Sequence, residues 1–287
     1  MATKPQPFLW ALVLSLVFVA RPGEAEAPAG LVDNPCGEST APPQAIVDYM
    51  KSLYALPPGA PHPAPSPEAI AAQQKMEATD TSKTDWPNLC RYRADDARLA
   101  VAPARDRDVV FMGDSITELW AVAHPQFFTE GRVDRGVSGQ TTPQMLLRFE
   151  ADVVALHPRV VHILGGTNDI AGNTGPNTFA DLQNNIVAMT TLARAHHVRV
   201  ILGSVPPAAK FTWAPSLSPA RQVQQLDAWL KDYAAREHLI YADYYSAMAT
   251  ADGAMRPELT LDGVHPNAAG YAVMEPIARK AIAAALR

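Results

Sequence analysis

Ser115 ends an apolar run, "VVFMGDS" from Val109 to Ser115. A hydroxyl at the end of a buried strand can attack a carbonyl carbon if a neighbouring base takes its proton. The same place suits a helix cap, and Asp114 beside it shares that ability. This stretch alone leaves both readings open. Asp262 and His265 lie three apart in the turn-rich "DGVHPNAAGY", where Pro266 is expected to start the last helix. An imidazole titrates near neutrality and serves as a general base, and a carboxylate beside it can fix its tautomer. Taken alone, Asp-x-x-His reads equally as a cap and a surface histidine. Gly139 in "RGVSGQTT" lets backbone approach a ligand with no Cβ in the way, and Asn168 in "GGTND" brings a side-chain amide. Singly, each fits a turn. Together they supply what acyl transfer needs. Ser115 is the nucleophile, His265 the base and Asp262 its orienter. The N–H groups of Ser115 and Gly139, with the Asn168 amide, are donors for a developing oxyanion.

These groups need a scaffold that delivers them to one edge. From Arg107 onward, short runs rich in Val, Ile and Leu ("DVVFMG", "VDRGVS", "RVVHILGG", "RVILGSVPP", "HLIYADYY") alternate with longer stretches of helical pattern. Continuous apolar runs predict strands covered on both faces, and the alternation predicts βαβ units. The expectation is an α/β fold with a parallel sheet flanked by helices. Its sites belong beyond the carboxyl ends of the strands, where "GDS", "GVSG" and "GGTND" fall.

With four blocks in order, the chain resembles the GDSL, or SGNH, hydrolases. "GDSIT" carries Ser115, "GVSGQT" carries Gly139, "GGTND" carries Asn168, and "DGVHP" carries Asp262 and His265. The likeness spans residues 107–287, and the catalytic domain is placed at 101–287. It implies a three-layer α/β/α sandwich with a parallel, flavodoxin-like sheet. It also implies hydrolysis of esters or thioesters by Ser115, Asp262 and His265, with no metal or other cofactor. The Gly-x-Ser-x-Gly elbow of other hydrolases is absent, as the resemblance requires.

The remaining features bound location and substrate. Residues 1–27 read as a signal peptide, with an apolar core from Phe8 to Ala20 too short to span a bilayer; a retained amino-terminal anchor is the rival reading. Export would place the mature protein in the periplasm or outside the cell. Cys36 and Cys90 are the only two cysteines and are expected to pair in an oxidising compartment. Residues 28–100 read as an amino-terminal extension, with two helical stretches around a proline-rich segment at 55–68, expected to pack on the main domain; a flexible periplasmic spacer is the rival reading. A net charge of -5 with no basic block argues against a nucleic-acid partner. A metal-dependent alternative would use His196, His197 or Asp169, but no zinc-type spacing appears and the two histidines fit a helix C-terminus better. His162, inside an apolar run, reads as a core histidine. Phe211 and Trp213, after the fourth strand, are candidates to line an acyl or sugar site or to form a surface clasp. The strand-end loops otherwise look short and polar, which predicts a shallow site for short esters. Two other readings stand beside the exported esterase: a lysophospholipase or thioesterase, and a binding module for an acyl or carbohydrate ligand.

Overall fold

The computed structural model describes residues 30–36, 41–57, 59–78 and 84–287. The proposed signal segment lies outside them. The chain divides into two units, Met1–Pro35 and Cys36–Arg287. Of the first, the described residues 30–35 are exposed and form no helix or strand.

The second unit is built on five parallel strands: β1 (Val109–Gly113), β2 (Arg132–Gly136), β3 (Val160–Leu164), β4 (Arg199–Gly203) and β5 (Ile240–Ala242), in the order β2-β1-β3-β4-β5. The helices are α1 (Gln44–Tyr54), α2 (Pro67–Ala78), α3 (Arg93–Val101), α4 (Ser115–Ala123), α5 (Thr142–Asp152), α6 (Thr167–Ala171), α7 (Phe179–Ala195), α8 (Ala220–Arg236), α9 (Tyr245–Met248) and α10 (Ala268–Ala285). All of β1 and β3 is buried, which is why their sequences are continuous apolar runs. Alternate residues feed two cores. Val110 and Met112 join the cluster that includes residues of α5, α7 and α8. Val109 and Phe111 join the cluster that includes residues of α4 and α10. The result is a three-layer α/β/α sandwich, as the sequence leads one to expect.

Strand order reverses between β1 and β3, and in a sheet of this kind the crevice opens at that point. Ser115 follows β1 and Asn168 follows β3, so both stand beside it. Several close approaches hold the edge together. A Cβ on Gly136 would lie 2.2 Å from the Glu118 backbone nitrogen, so only glycine lets β2 meet α4 this closely. The Asp169 carboxylate accepts from the Thr142 N–H at 2.9 Å and from its hydroxyl at 2.5 Å, docking the start of α5 against the end of β3.

Cys36 and Cys90 form a disulfide. Beyond it, the Arg135 guanidinium, 2% exposed, binds Asp95 and Asp96 of α3 and lies 4.5 Å from the Tyr92 ring centre. His162 stacks on Phe111 at 4.7 Å, and its Nε2 lies 2.8 Å from the Tyr244 hydroxyl. Burial pulls its pKa down to about 3, so it is a neutral core group at any working pH. Its satisfaction is only partial, since Nδ1 has no partner. The last helix begins later than the sequence suggests. Pro266 pairs with Thr260 in an isolated bridge, and Asn267 is the cap, its side chain accepting from the Gly270 N–H at 3.0 Å. No helix among the described residues is long and apolar enough to cross a membrane.

Candidate active site

At Ser115 the capping role falls to the neighbouring Asp114, and the serine hydroxyl meets an imidazole. Asp114 is the cap of α4: its Oδ1 accepts from the Ile116 N–H at 2.9 Å. Ser115 is the first helical residue, and its Oγ lies 3.0 Å from His265 Nε2. Capping by Asp114 leaves the serine hydroxyl free to turn toward the imidazole. The N–H groups of Ser115 and Gly139 have no acceptor among the described residues. Gly139 has φ +78 and nothing within 4 Å of where a Cβ would stand. Its backbone takes the left-handed conformation that glycine tolerates, and its surface is open.

Asp262 and His265 form a self-bonded turn. Asp262 Oδ1 accepts from the N–H groups of Val264 and His265 at 2.9 and 2.8 Å, and Oδ2 faces His265 Nδ1 at 2.7 Å. The Thr260 hydroxyl binds the same turn from behind, accepting from the Gly263 N–H at 2.9 Å and donating to the His265 carbonyl at 2.9 Å. The spacing of three residues therefore closes one turn that aims the imidazole. Burial pushes the Asp262 carboxyl up, but the His265 hydrogen bond and charge and the two N–H donors outweigh it, and its pKa falls below 3.8. Burial pulls the His265 imidazole down; the hydrogen bond and charge of Asp262, with the charge of Asp114, outweigh that and raise it above 6.5. Asp114 shifts the other way. Its complete burial lifts it to about 6, against the Ile116 N–H and the His265 charge.

Asn168 stands at the same edge, 3% exposed, but its amide is engaged. Its Nδ2 donates to the Gln140 carbonyl at 3.0 Å and to Asp114 Oδ2 at 3.3 Å, and its Oδ1 accepts from Asn173 Nδ2 at 2.8 Å. To bind an oxyanion it must share or release the longer of these bonds. Trp213, 42% exposed, brings its ring within 6.1 Å of the His265 ring and donates its indole N–H to Asn173 Oδ1 at 3.1 Å. Phe211 is 1% exposed and stacks beneath Trp213 at 5.0 Å. It supports the indole rather than lining a site. With Ala208 and Val264 it forms a small apolar cluster, so the loop after β4 is less polar than its sequence suggests.

Three residues not singled out in the sequence also serve this edge. Asn173 touches Asn168, Trp213 and the Gly139 carbonyl, the last at 3.3 Å. Gln140, 1% exposed, joins Asn168 to Arg148 and to Pro87. Glu118 binds Ser138 and Arg91. Gln140 falls inside the "GVSGQT" block, which was its one available signal; Asn173 also reaches Gly139 and Trp213 across 34 and 40 residues, and Glu118 reaches Ser138 and Arg91 across 20 and 27. His196 ends α7 as its C-cap, and His197 follows with φ +60. Among the described residues no group of three or more His, Cys, Asp or Glu side chains is placed to hold a metal.

Comparison with known proteins identifies the family and the fold. The GDSL-like lipase/acylhydrolase family matches residues 111–273. A Bacteroides fragilis protein assigned as an acylhydrolase is 45% identical, with 71% of this chain covering 100% of that one at a TM-score of 0.69. A GDSL-like lipase from Bacteroides thetaiotaomicron is 42% identical, with coverages of 70% and 99% and a TM-score of 0.67. An acetylxylan esterase from Geobacillus stearothermophilus, in a catalytic-mutant form, shares the fold at 19% identity, coverages of 61% and 93% and a TM-score of 0.51. No curated protein matches the sequence.

Proposed function

This chain belongs to the GDSL-like lipase/acylhydrolase family, and from that premise we propose that it is an exported serine esterase acting on short-chain carboxylic esters. One observation carries the reading: the unbroken line from Ser115 Oγ to His265 Nε2 at 3.0 Å and from His265 Nδ1 to Asp262 Oδ2 at 2.7 Å. A binding module has no use for such a line.

In this mechanism neutral His265 takes the Ser115 proton as Oγ bonds to the ester carbonyl carbon. The carbonyl oxygen becomes an anion, which the N–H groups of Ser115 and Gly139 meet, joined by the Asn168 amide. Asp262 stays ionised, because its pKa lies below the ordinary carboxylate value, and it stabilises the imidazolium. The tetrahedral adduct collapses, the bond to the leaving alkoxide breaks, and His265 returns the proton to that oxygen. Water then attacks the acyl-serine, with His265 as base again, releasing the carboxylic acid and free Ser115. Trp213 offers an exposed ring beside His265 on which the alcohol or acyl part can rest. The Cys36–Cys90 disulfide favours an oxidising compartment, which together with the amino-terminal apolar run supports export.

A fluorophosphonate probe tests the assignment. It should label the wild-type chain at Ser115 and leave Ser115→Ala unlabelled, folded and inactive on p-nitrophenyl acetate. Normal turnover by that variant, or labelling elsewhere, removes the reading.

A further inference from the structure

The loop that presents Gly139 is poorly held by itself. Between β2 and α5, Val137 donates to the Gly113 carbonyl at 3.1 Å, and the turn is closed by Gln140 N–H to the Val137 carbonyl at 3.3 Å. Its conformation comes from neighbours on either side. On one side, Glu118 Oε2 accepts both the Ser138 N–H at 2.8 Å and the Ser138 hydroxyl at 2.5 Å, and its Oε1 accepts from Arg91 Nη2 at 2.8 Å. Both members of this ion pair are largely shielded, with side-chain exposures of 16% and 12%. On the other side, Gln140 Nε2 donates to the Pro87 carbonyl at 2.8 Å, while Gln144 Nε2 donates to the Trp86 carbonyl at 2.8 Å. The Tyr92 hydroxyl donates to the Gly136 carbonyl, just ahead of the loop.

Asn173, Asn168 and Arg148 hold the loop from the crevice side, at the Gly139 carbonyl, the Gln140 carbonyl and Gln140 Oε1. On the outer side, every partner except Glu118 belongs to residues 86–92. That segment is itself tied down. The Asp85 carboxylate accepts from the N–H groups of Leu89 and Cys90 at 2.8 Å each, and Cys90 is bonded to Cys36.

We propose that Glu118 and Arg91 are positioning residues for the Gly139 N–H, and that the disulfide-stapled segment Asp85–Tyr92 holds the oxyanion loop in its reactive geometry. The inference rests on the serine-esterase reading and adds to it a device whose outer part, residues 85–92, lies outside the 111–273 stretch that the family model matches. The chemistry demands such a device. An oxyanion donor acts over a hydrogen-bond length, and a misplacement of about 1 Å can cost on the order of 10²-fold in rate. Glycine at φ +78 with no packed side chain cannot fix its own N–H. A carboxylate on the adjoining Ser138 N–H and hydroxyl can, and Arg91 holds that carboxylate in turn. Glu118 reaches the loop through Ser138, and Arg91 reaches it through Glu118.

The test compares Glu118→Ala, Glu118→Gln, Arg91→Lys and the wild-type chain, with the disulfide intact and after mild reduction. For each, kcat, KM, the pH profile and the rate of fluorophosphonate labelling at Ser115 are measured on folded protein. Glu118→Ala should lower kcat about 10- to 100-fold with KM within about twofold, and labelling should slow in step, because both reactions use the same donors. Glu118→Gln keeps one acceptor oxygen for Ser138 and should fall between Glu118→Ala and wild type. Arg91→Lys and reduction should lower kcat in the same sense. The acidic limb of the pH profile should stay in place, since His265 and Asp262 are untouched. A folded Glu118→Ala or Glu118→Gln protein with wild-type kcat, or one whose pH limb moves with kcat, overturns the proposal and leaves the esterase reading intact. A wild-type chain that neither labels nor turns over removes both.

Discussion

Replacing Asn168 with alanine separates a transition-state role from a structural one, and the structure sets the size of each effect. Asn168 makes three contacts in the resting protein and, in the proposed mechanism, gives up the longer one to serve as an oxyanion donor. It supplies a hydrogen to the buried Gln140 region at 3.0 Å, a longer one to Asp114 at 3.3 Å, and an acceptor for Asn173 at 2.8 Å. Truncation leaves these partners in different states. Asp114 keeps the Ile116 N–H, and Asn173 is exposed and can turn to water. The Gln140 carbonyl is the acceptor left unpaired in a buried place, which costs about 1–3 kcal/mol. For a chain of this size that corresponds to a Tm lower by roughly 2–12 °C. Loss of one oxyanion donor costs on the order of 10²–10³ in kcat, with KM nearly constant.

A fall in Tm therefore decides nothing here, since the hydrogen bonds of the resting protein already require it. The deciding quantity is kcat per folded active site. Fluorophosphonate titration of Ser115 counts the competent sites, and initial rates on p-nitrophenyl acetate below the melting transition give kcat and KM. A folded Asn168→Ala protein should label slowly but completely and turn over about 10²–10³-fold more slowly. If each labelled site turns over within about threefold of wild type, the amide serves only Gln140 and Asp114, and the oxyanion role of Asn168 is wrong.

The other expectations are as follows. His265 must be neutral to accept the serine proton, so kcat/KM should rise with pH through a value above 6.5; Asp262→Asn removes what raises it, so the limb should move to lower pH while kcat falls by up to about 10⁴-fold. An unmoved limb would mean that another group titrates. The same pair predicts a stability window. The raised His265 pKa gives stability that is full below 6.5 and lost as pH climbs through the folded value, while the lowered Asp262 pKa gives stability present above 3.8 and lost as pH falls through the folded value. The wild-type Tm advantage over Asp262→Asn should therefore be greatest between those limits, below the pH of best activity; an advantage growing steadily to pH 9 contradicts it. Acetyl and butyryl esters should outpace decanoyl esters, because a deep acyl channel would add about 0.8 kcal/mol per buried methylene, and steadily rising kcat/KM with chain length would reveal one. The double Cys36→Ser, Cys90→Ser variant should lose about 4 kcal/mol of stability for a separation of 54 residues, read by urea unfolding, and a midpoint matching wild type would show that the bridge constrains little.

The sheet could be read from the sequence because β1 and β3 are buried throughout, so burial writes itself as an unbroken apolar run. The turn at Asp262 and His265 was legible for a different reason. Its bonds are local, spanning two or three residues, so spacing alone carries the geometry. The supports of the Gly139 loop were not legible. Glu118 reaches Ser138 and Arg91 across 20 and 27 residues, and Gln140 reaches Pro87 across 53. No periodicity links such pairs; each looks like an ordinary surface charge or amide until the strands are ordered. Pro266 misled for a simpler reason. A proline favours the first turn of a helix, but the Asn267 side chain supplies the N-terminal acceptor that proline lacks, and the helix starts after it.

Two carboxylates act on the same imidazole, Asp262 by contact and Asp114 by charge, and they shift in opposite directions, as different roles in the proposed mechanism require. Asp262 accepts two backbone N–H bonds and the His265 ring, so it remains an anion across the working range and can meet a charge that appears and disappears with each proton transfer. Asp114 is completely buried, holds the Ile116 N–H and the weaker Asn168 contact, and sits at about 6. Burial is the largest influence on it and raises it; the Ile116 N–H and then the His265 charge lower it. As pH falls toward 6, Asp114 begins to take up a proton and its Oδ2 weakens as an acceptor for Asn168. The Asn168 amide then has less reason to face away from the crevice, yet His265 is already protonated and cannot act as base. In the proposed mechanism the longer Asn168–Asp114 bond is the one that can be given up, while the Asp262–His265 bond must stay.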